Sequence, residues 1–189
     1  MRHDRLPSVV PALALGLALG LATGCYSVSS SMMVPDDVEI EQTFGGSVRI
    51  ETIGSDRQAM IGSRLIPAEE LEEAVREIVL RHELFDVVVE EGEADNVLVV
   101  EFERIEEPEV GLDADCTLSM RWRLLSGDGS RTLWEEVVTS DETVNGYQER
   151  SSEKRSKTVI EKAVRSNLRD GVERLSVSNR VPMRPANDG

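Results

Sequence analysis

The sequence predicts an α+β fold: a mainly antiparallel sheet of four to five strands with two helices packed on one face, in the order β-α-β-β-β-β-α. Three observations lead there. Two stretches, around residues 67–82 and 152–175, carry apolar residues at helical spacing. Between them lie runs in which apolar and polar residues alternate, as half-buried strands require. The length, 189 residues, suits one domain with short appendages.

The first strand candidate alternates Val38 and Ile40 with Glu39 and Glu41. Gly45-Gly46 then breaks the chain, and Val48 and Ile50 resume the alternation toward Ile53. Residues 54–62 read as a polar turn region. In the first helix Pro67 suits the first helical position, and Glu69, Glu70, Glu72 and Glu73 sit near the positive end of the helix dipole. Leu71, Ala74, Val75, Ile78 and Val79 form the stripe that must face a core. His82, near the end of that stripe, reads as a satisfied, partly buried imidazole.

Strands follow. Phe85–Glu90 is a β-branched run, and Val97–Ile105 mixes Val, Leu and Phe with Glu101 and Glu103. Cys116, Leu118, Met120, Trp122 and Leu124 alternate with Thr117, Ser119, Arg121 and Arg123. The stretch Ser126-Gly127-Asp128-Gly129-Ser130 reads as a hairpin connection, with Leu133–Thr139 returning as partner. The long acidic loop Glu106–Asp115 means that the two strands it joins need not form a tight hairpin. The closing helix, Ser152–Leu175, carries Val159, Ile160, Ala163, Val164, Leu168, Val172 and Leu175 on one face. Residues 179–189, with Pro182 and Pro185, read as a disordered tail.

The first twenty-four residues are of another kind. Arg2, His3 and Arg5 precede an uncharged stretch whose apolar centre, Val9–Ala22, is shorter than the roughly 20 residues a spanning helix needs. A basic start followed by a short apolar run is the pattern of a secretory signal. The run ends in Leu21-Ala22-Thr23-Gly24-Cys25, small residues directly before a cysteine. This resembles the lipobox of bacterial lipoproteins, with Ala22 standing where that family usually has Leu. The resemblance implies cleavage before Cys25, diacylglycerol on its thiol and acylation of the new α-amine. Several acyl chains exceed the single chain that gives only marginal binding, so the implied anchor is permanent. Tyr26, rather than Asp, follows the cysteine, which by the same resemblance places the protein in the outer membrane, facing the periplasm. The division that follows is a signal over 1–24, a lipidated Cys25 with a Ser-rich flexible tether over 25–37, and one α+β domain over 38–178. The element order is similar to that of small periplasmic lipoproteins: the lipopolysaccharide-assembly lipoprotein, auxiliary lipoproteins of lipid transport, and the lipoprotein activator of penicillin-binding proteins.

Charge narrows the function. The formal net charge is -15, which argues against general affinity for nucleic acid. Glu90–Asp115 holds eleven acidic residues and one basic, Arg104, whereas Arg150–Arg174 holds eight basic and four acidic. The closing helix is therefore a possible dock for an anionic partner, through Arg155, Lys162 and Arg169. The plainer alternative is a basic helix that pairs with its own domain.

Little in the chain carries reaction chemistry. Only His82 remains after cleavage, Cys116 sits on the inward side of a strand, and no zinc spacing, phosphate loop or nucleophile elbow is present. Asp113-Ala-Asp115 begins like a calcium loop, but Thr117 and Leu118 stand where a third ligand and the turn glycine belong. No cofactor or metal is expected. The expected function is a non-enzymatic accessory or binding module in envelope assembly, transport or cell-wall synthesis, with the membrane and an envelope protein as partners. The alternative is an envelope glycan hydrolase working through paired carboxylates.

Overall fold

The computed structural model describes residues 28–53, 66–106 and 111–178. The expected signal over 1–24, Cys25, the turn at 54–62 and the tail at 179–189 lie outside these residues. A one-turn helix α1 (Ser30–Met33) precedes strand β1 (Phe44–Ile53), helix α2 (Ala68–Arg81) and strand β2 (Phe85–Val89). Strands β3 (Asn96–Ile105), β4 (Asp113–Ser126) and β5 (Thr132–Asn145) follow, and helix α3 (Ser152–Ser176) closes the order.

The sheet runs β2-β1-β3-β4-β5. It is mixed, not mainly antiparallel: β1 lies parallel to both β2 and β3, while β3, β4 and β5 alternate in direction. Alternation reveals a strand but not its direction. The direction comes from the connection, because α2 returns the chain to the starting end of β1 and so makes β2 parallel to it. The next step needs no helix. β2 pairs along β1 as far as Arg49↔Val89, and β3 takes up the other side of β1 from Val48↔Asn96. Residues 90–95 pass between them across the side of β1 away from the helices, where Arg49 donates to the Gly92 carbonyl at 2.6 Å.

Other expectations are also corrected. Residues 38–41 form no strand; Val38 and Ile40 instead pack against the core. Gly45-Gly46 does not break the chain but lies inside β1, at a register irregularity between Phe44 and Ser47. Gly46 has φ 85°, a conformation that favours glycine. Among the described residues there are three helices rather than two, and α1 falls within the stretch expected as a tether. Val28, Met33 and Val34 are all buried in the core. Their apolar side chains outweigh the Ser-rich composition that suggested a linker. The acidic loop is shorter than expected as well, because Asp113 and Asp115 belong to β4, which pairs with β3 over Leu118–Ser126 and with β5 from Asp113 on.

The helices formed where their stripes placed them. Leu71, Ala74, Val75, Ile78 and Val79 of α2 are buried, as are Val159, Ile160, Ala163, Val164, Leu168, Val172 and Leu175 of α3. Ser151 caps α3, its hydroxyl accepting from the Lys154 amide. At the centre Trp122 of β4 is fully buried and donates from Nε1 to Asn167 Oδ1 at 3.2 Å. Asn167, also fully buried, donates in turn to the Val138 carbonyl at 2.7 Å. This leaves the central polar pair satisfied.

Candidate interaction surfaces

One side of the sheet carries the helices, and the other has none among the described residues. On the second side, odd-numbered positions of β3, β4 and β5 form a lattice of opposite charges. Arg121 bonds Glu103 through Nε (2.7 Å) and Glu135 through Nη1 (2.6 Å), and Arg123 bonds Glu101 at 3.1 Å. The Arg121 guanidinium is held above its usual pKa by its bonds to Glu135 and Glu103. Toward the far end the lattice continues as neutral and mixed pairs: Ser119 with Thr139, Thr117 with Asp141, and Thr143 with Asp115. Over β3–β5 the face is thus mainly polar and internally paired, with Val137 (39% exposed) as an apolar point in its middle, and Ile53 and Val87 add exposed apolar points on β1 and β2. The sequence reading has Glu101, Glu103, Arg121 and Arg123 as strand residues but not as members of a paired face. Their signal was present in opposite charges placed at alternate positions of neighbouring strands.

The basic helix is built differently from the expected dock. Arg155 is only 8% exposed and donates to three main-chain carbonyls, Glu149 (2.9 Å), Arg150 (3.0 Å) and Gly111 (2.8 Å). It is a brace between the β3–β4 and β5–α3 connections, not a surface contact. Arg169 reaches Asp37 and Asp170 at 3.5 and 3.1 Å. Arg165 donates to the Met32 carbonyl at 2.6 Å, Arg174 pairs with Glu136, and Lys157 lies 3.6 Å from Glu161. Lys162, half-buried, makes no ion pair among the described residues. The structure therefore does not bring Arg155, Lys162 and Arg169 together as one exposed patch.

The remaining chemistry-bearing residues are also accounted for. Cys116 is a free, buried thiol whose pKa burial pushes up to about 12, helped by Asp141 and Glu142. At that value the nucleophilic thiolate is scarce. His82 caps the end of α2, and burial followed by the nearby Arg81 lowers its pKa. Its Nε2 is buried without a partner among the described residues, so the expected satisfied imidazole is corrected to one with an unmet nitrogen. Asp113 and Asp115 lie in extended strand, a geometry that does not wrap an ion, and no cluster of three metal-binding side chains occurs among the described residues.

An open groove of about 640 Å³ lies at the opposite end of the sheet from the Arg155 brace, lined by Gly45, Gly46, Asp95, Asn96, Ser126 and Arg131 among others. Its acid is already engaged: Asp95 accepts from the Ser47 amide and hydroxyl, both at 2.8 Å, and these bonds hold its pKa low. In the neighbouring turn, bonds from Ser126 and Ser130 hold Asp128 at about 2. Both carboxylates are tuned toward the ionised form, the reverse of what a general acid needs.

No helix among the described residues is long and apolar enough to cross a membrane. No protein-family model matches the chain, and no curated protein matches its sequence. Solved structures do match its fold. A Xanthomonas campestris protein of family DUF330 superposes with a TM-score of 0.59 at 13% identity, over 80% of this chain and 95% of that one. A hypothetical protein from Chlamydia trachomatis reaches 0.50 at 14% identity, over 70% and 96% of the two chains. A putative lipoprotein from Caulobacter crescentus is more distant, at 0.43 and 16% identity over 67% and 87%. At these identities the likeness to the first two is one of fold alone.

Proposed function

We propose that the mature chain is an outer-membrane lipoprotein, anchored through Cys25 and facing the periplasm, whose domain is a non-enzymatic accessory module that binds another envelope component. The observation that carries this reading is the lipobox-like Leu21-Ala22-Thr23-Gly24-Cys25 at the end of a short apolar run, followed three residues later by the first core side chain, Val28. The domain supports a binding role through its helix-free sheet face, where a partner meets the paired lattice of Arg121, Arg123 and their glutamates. A polar, prepaired face suits recognition by complementary charge more than by buried apolar area.

Mass analysis of the mature N-terminus tests the anchor: acyl mass on Cys25 is expected, and a Cys25→Ser chain should leave the outer-membrane fraction. A photo-crosslinking residue in place of Val137 tests the face. An envelope protein captured there, lost on Arg121→Glu and absent with the label at Leu80, supports the module. Equal capture at both positions contradicts it.

A further inference from the structure

Two large side chains stand in solvent at one end of the sheet. Tyr147 is 100% exposed and Leu112 87%. They are neighbours, because β4 begins and β5 ends there in the pair Asp113↔Asn145, and a Cβ built on Gly146 would lie 3.0 Å from the Leu112 carbonyl oxygen. Both are held outward by built structure. Arg155 ties Gly111 on one connection to Glu149 and Arg150 on the other, and the Asn145 side chain accepts from the amides of Tyr147 and Gln148 at 3.1 Å. A buried cation thus fixes an apolar and an aromatic residue where folding gains nothing from them.

The path of the N-terminal chain indicates what covers this tip. Ser30 donates to Glu70 in the first turn of α2, and Met32 accepts from Arg165. The chain then descends α3 toward the opposite end, where Glu39, Glu41 and Gln42 bond Glu173, Ser176 and Ser178. It therefore enters near the middle of α3, closer to the tip than residues 39–42 lie. Only Tyr26 and Ser27 separate Cys25 from Val28, so three chain steps bound the Cα–Cα distance from the cysteine to this core residue at about 11 Å. A body so closely tied to an acylated residue cannot stand off from the bilayer.

We propose that the Leu112–Tyr147 tip is a membrane-contact site, seated in the headgroup zone of the bilayer that holds Cys25; this rests on the lipid anchor proposed above. Tyrosine suits that zone, having an apolar ring and a polar end. Exposed Arg150 and Lys154 stand beside exposed Asp113 and half-buried Glu149, so the tip suits zwitterionic rather than strongly anionic headgroups.

The test uses the mature protein purified from membranes and reconstituted in phosphatidylethanolamine–phosphatidylcholine vesicles that carry brominated phosphatidylcholine. Emission added by Tyr147→Trp should fall by about twofold or more as the apolar tip enters the headgroup–acyl boundary. Leu80→Trp, 55% exposed at the other end of the domain, should be unaffected. Leu112→Trp serves as a second reporter at the tip. An acylated chain whose tip emission is untouched, or is quenched no more than that of Leu80→Trp, overturns the inference and leaves the anchor standing. A mature chain without acyl mass overturns both.

Discussion

Gly171→Ala is the sharpest test of how α3 meets the sheet. A Cβ at Gly171 would fall 2.3 Å from Trp122 Cε2, 2.5 Å from Cζ2 and 2.7 Å from Nε1. The indole has no room to retreat, since Trp122 is fully buried and bonded to Asn167. Overpacking of this kind costs about 1–3 kcal/mol. Displacing the indole also breaks the bond to Asn167 and leaves a buried donor and acceptor unmet, a further ~1–3 kcal/mol. Alanine's better helix propensity returns about 1 kcal/mol. The net expectation is a loss of about 1–5 kcal/mol, read by urea unfolding. In a domain of this size each kcal/mol lost lowers the Tm by about 4 °C. Trp122→Phe removes the atoms that clash, so the double variant should lose less than the sum, with a coupling of about 0.5–3 kcal/mol. A Gly171→Ala protein as stable as the parent would refute the packing described here.

Three further outcomes are expected. Arg155→Ala should destabilise the fold by about 2–4 kcal/mol through its three lost carbonyl bonds, whereas Lys162→Glu should stay within about 0.5 kcal/mol, both measured by urea midpoint. Cys116 should not react with a thiol reagent in the folded protein at mildly alkaline pH and should react fully in denaturant, because it is 1% exposed and its pKa is near 12. His82 has a pKa below its ordinary 6.5, so the stability it contributes is present above that value and is lost as pH falls through the lower, folded one. His82→Gln should therefore flatten the stability–pH curve as pH falls through and below the ordinary 6.5, and an unchanged slope there would remove His82 from the account.

Local periodicity made most of the elements legible. The stripes of α2 and α3 are buried at every position expected, because a helix exposes its pattern every three to four residues whatever surrounds it. The pattern in β4 was equally plain, with Cys116, Leu118, Met120, Trp122 and Leu124 all buried. Strand direction was not legible from alternation, yet the helix between β1 and β2 carried that information. Arg155 was readable too: it lies four residues before Val159 and eight before Ala163, on the buried stripe, where a charged residue signals a paired interior role. Counting it among surface cations ignored its phase. The sheet-face lattice was harder to see, since it depends on register between strands, which neither strand states alone.

The basic helix acquires a different meaning once its partners are known. Its cations and polar groups hold the chain's own leading segment along much of its length. Arg165 takes the Met32 carbonyl, Arg169 faces Asp37, Glu173 accepts the Glu39 amide and Ser176 the Glu41 amide. The acidic stretch Asp36–Glu41 thus lies on the most basic element of the fold, and the excess of +3 in α3 is partly spent inside the molecule. Exposed pairs such as Arg169–Asp37 contribute little each and weaken with salt. Burial of Val28, Met33 and Val34 is not screened, so the segment should remain docked at high ionic strength. Under the proposed anchor, a pull on Cys25 would therefore reach α3 and the core through packed side chains after three residues, rather than be absorbed by a slack linker. That short connection keeps the domain close to the bilayer, and under the same proposal the tip above Arg155 becomes a place of contact rather than a stray exposure.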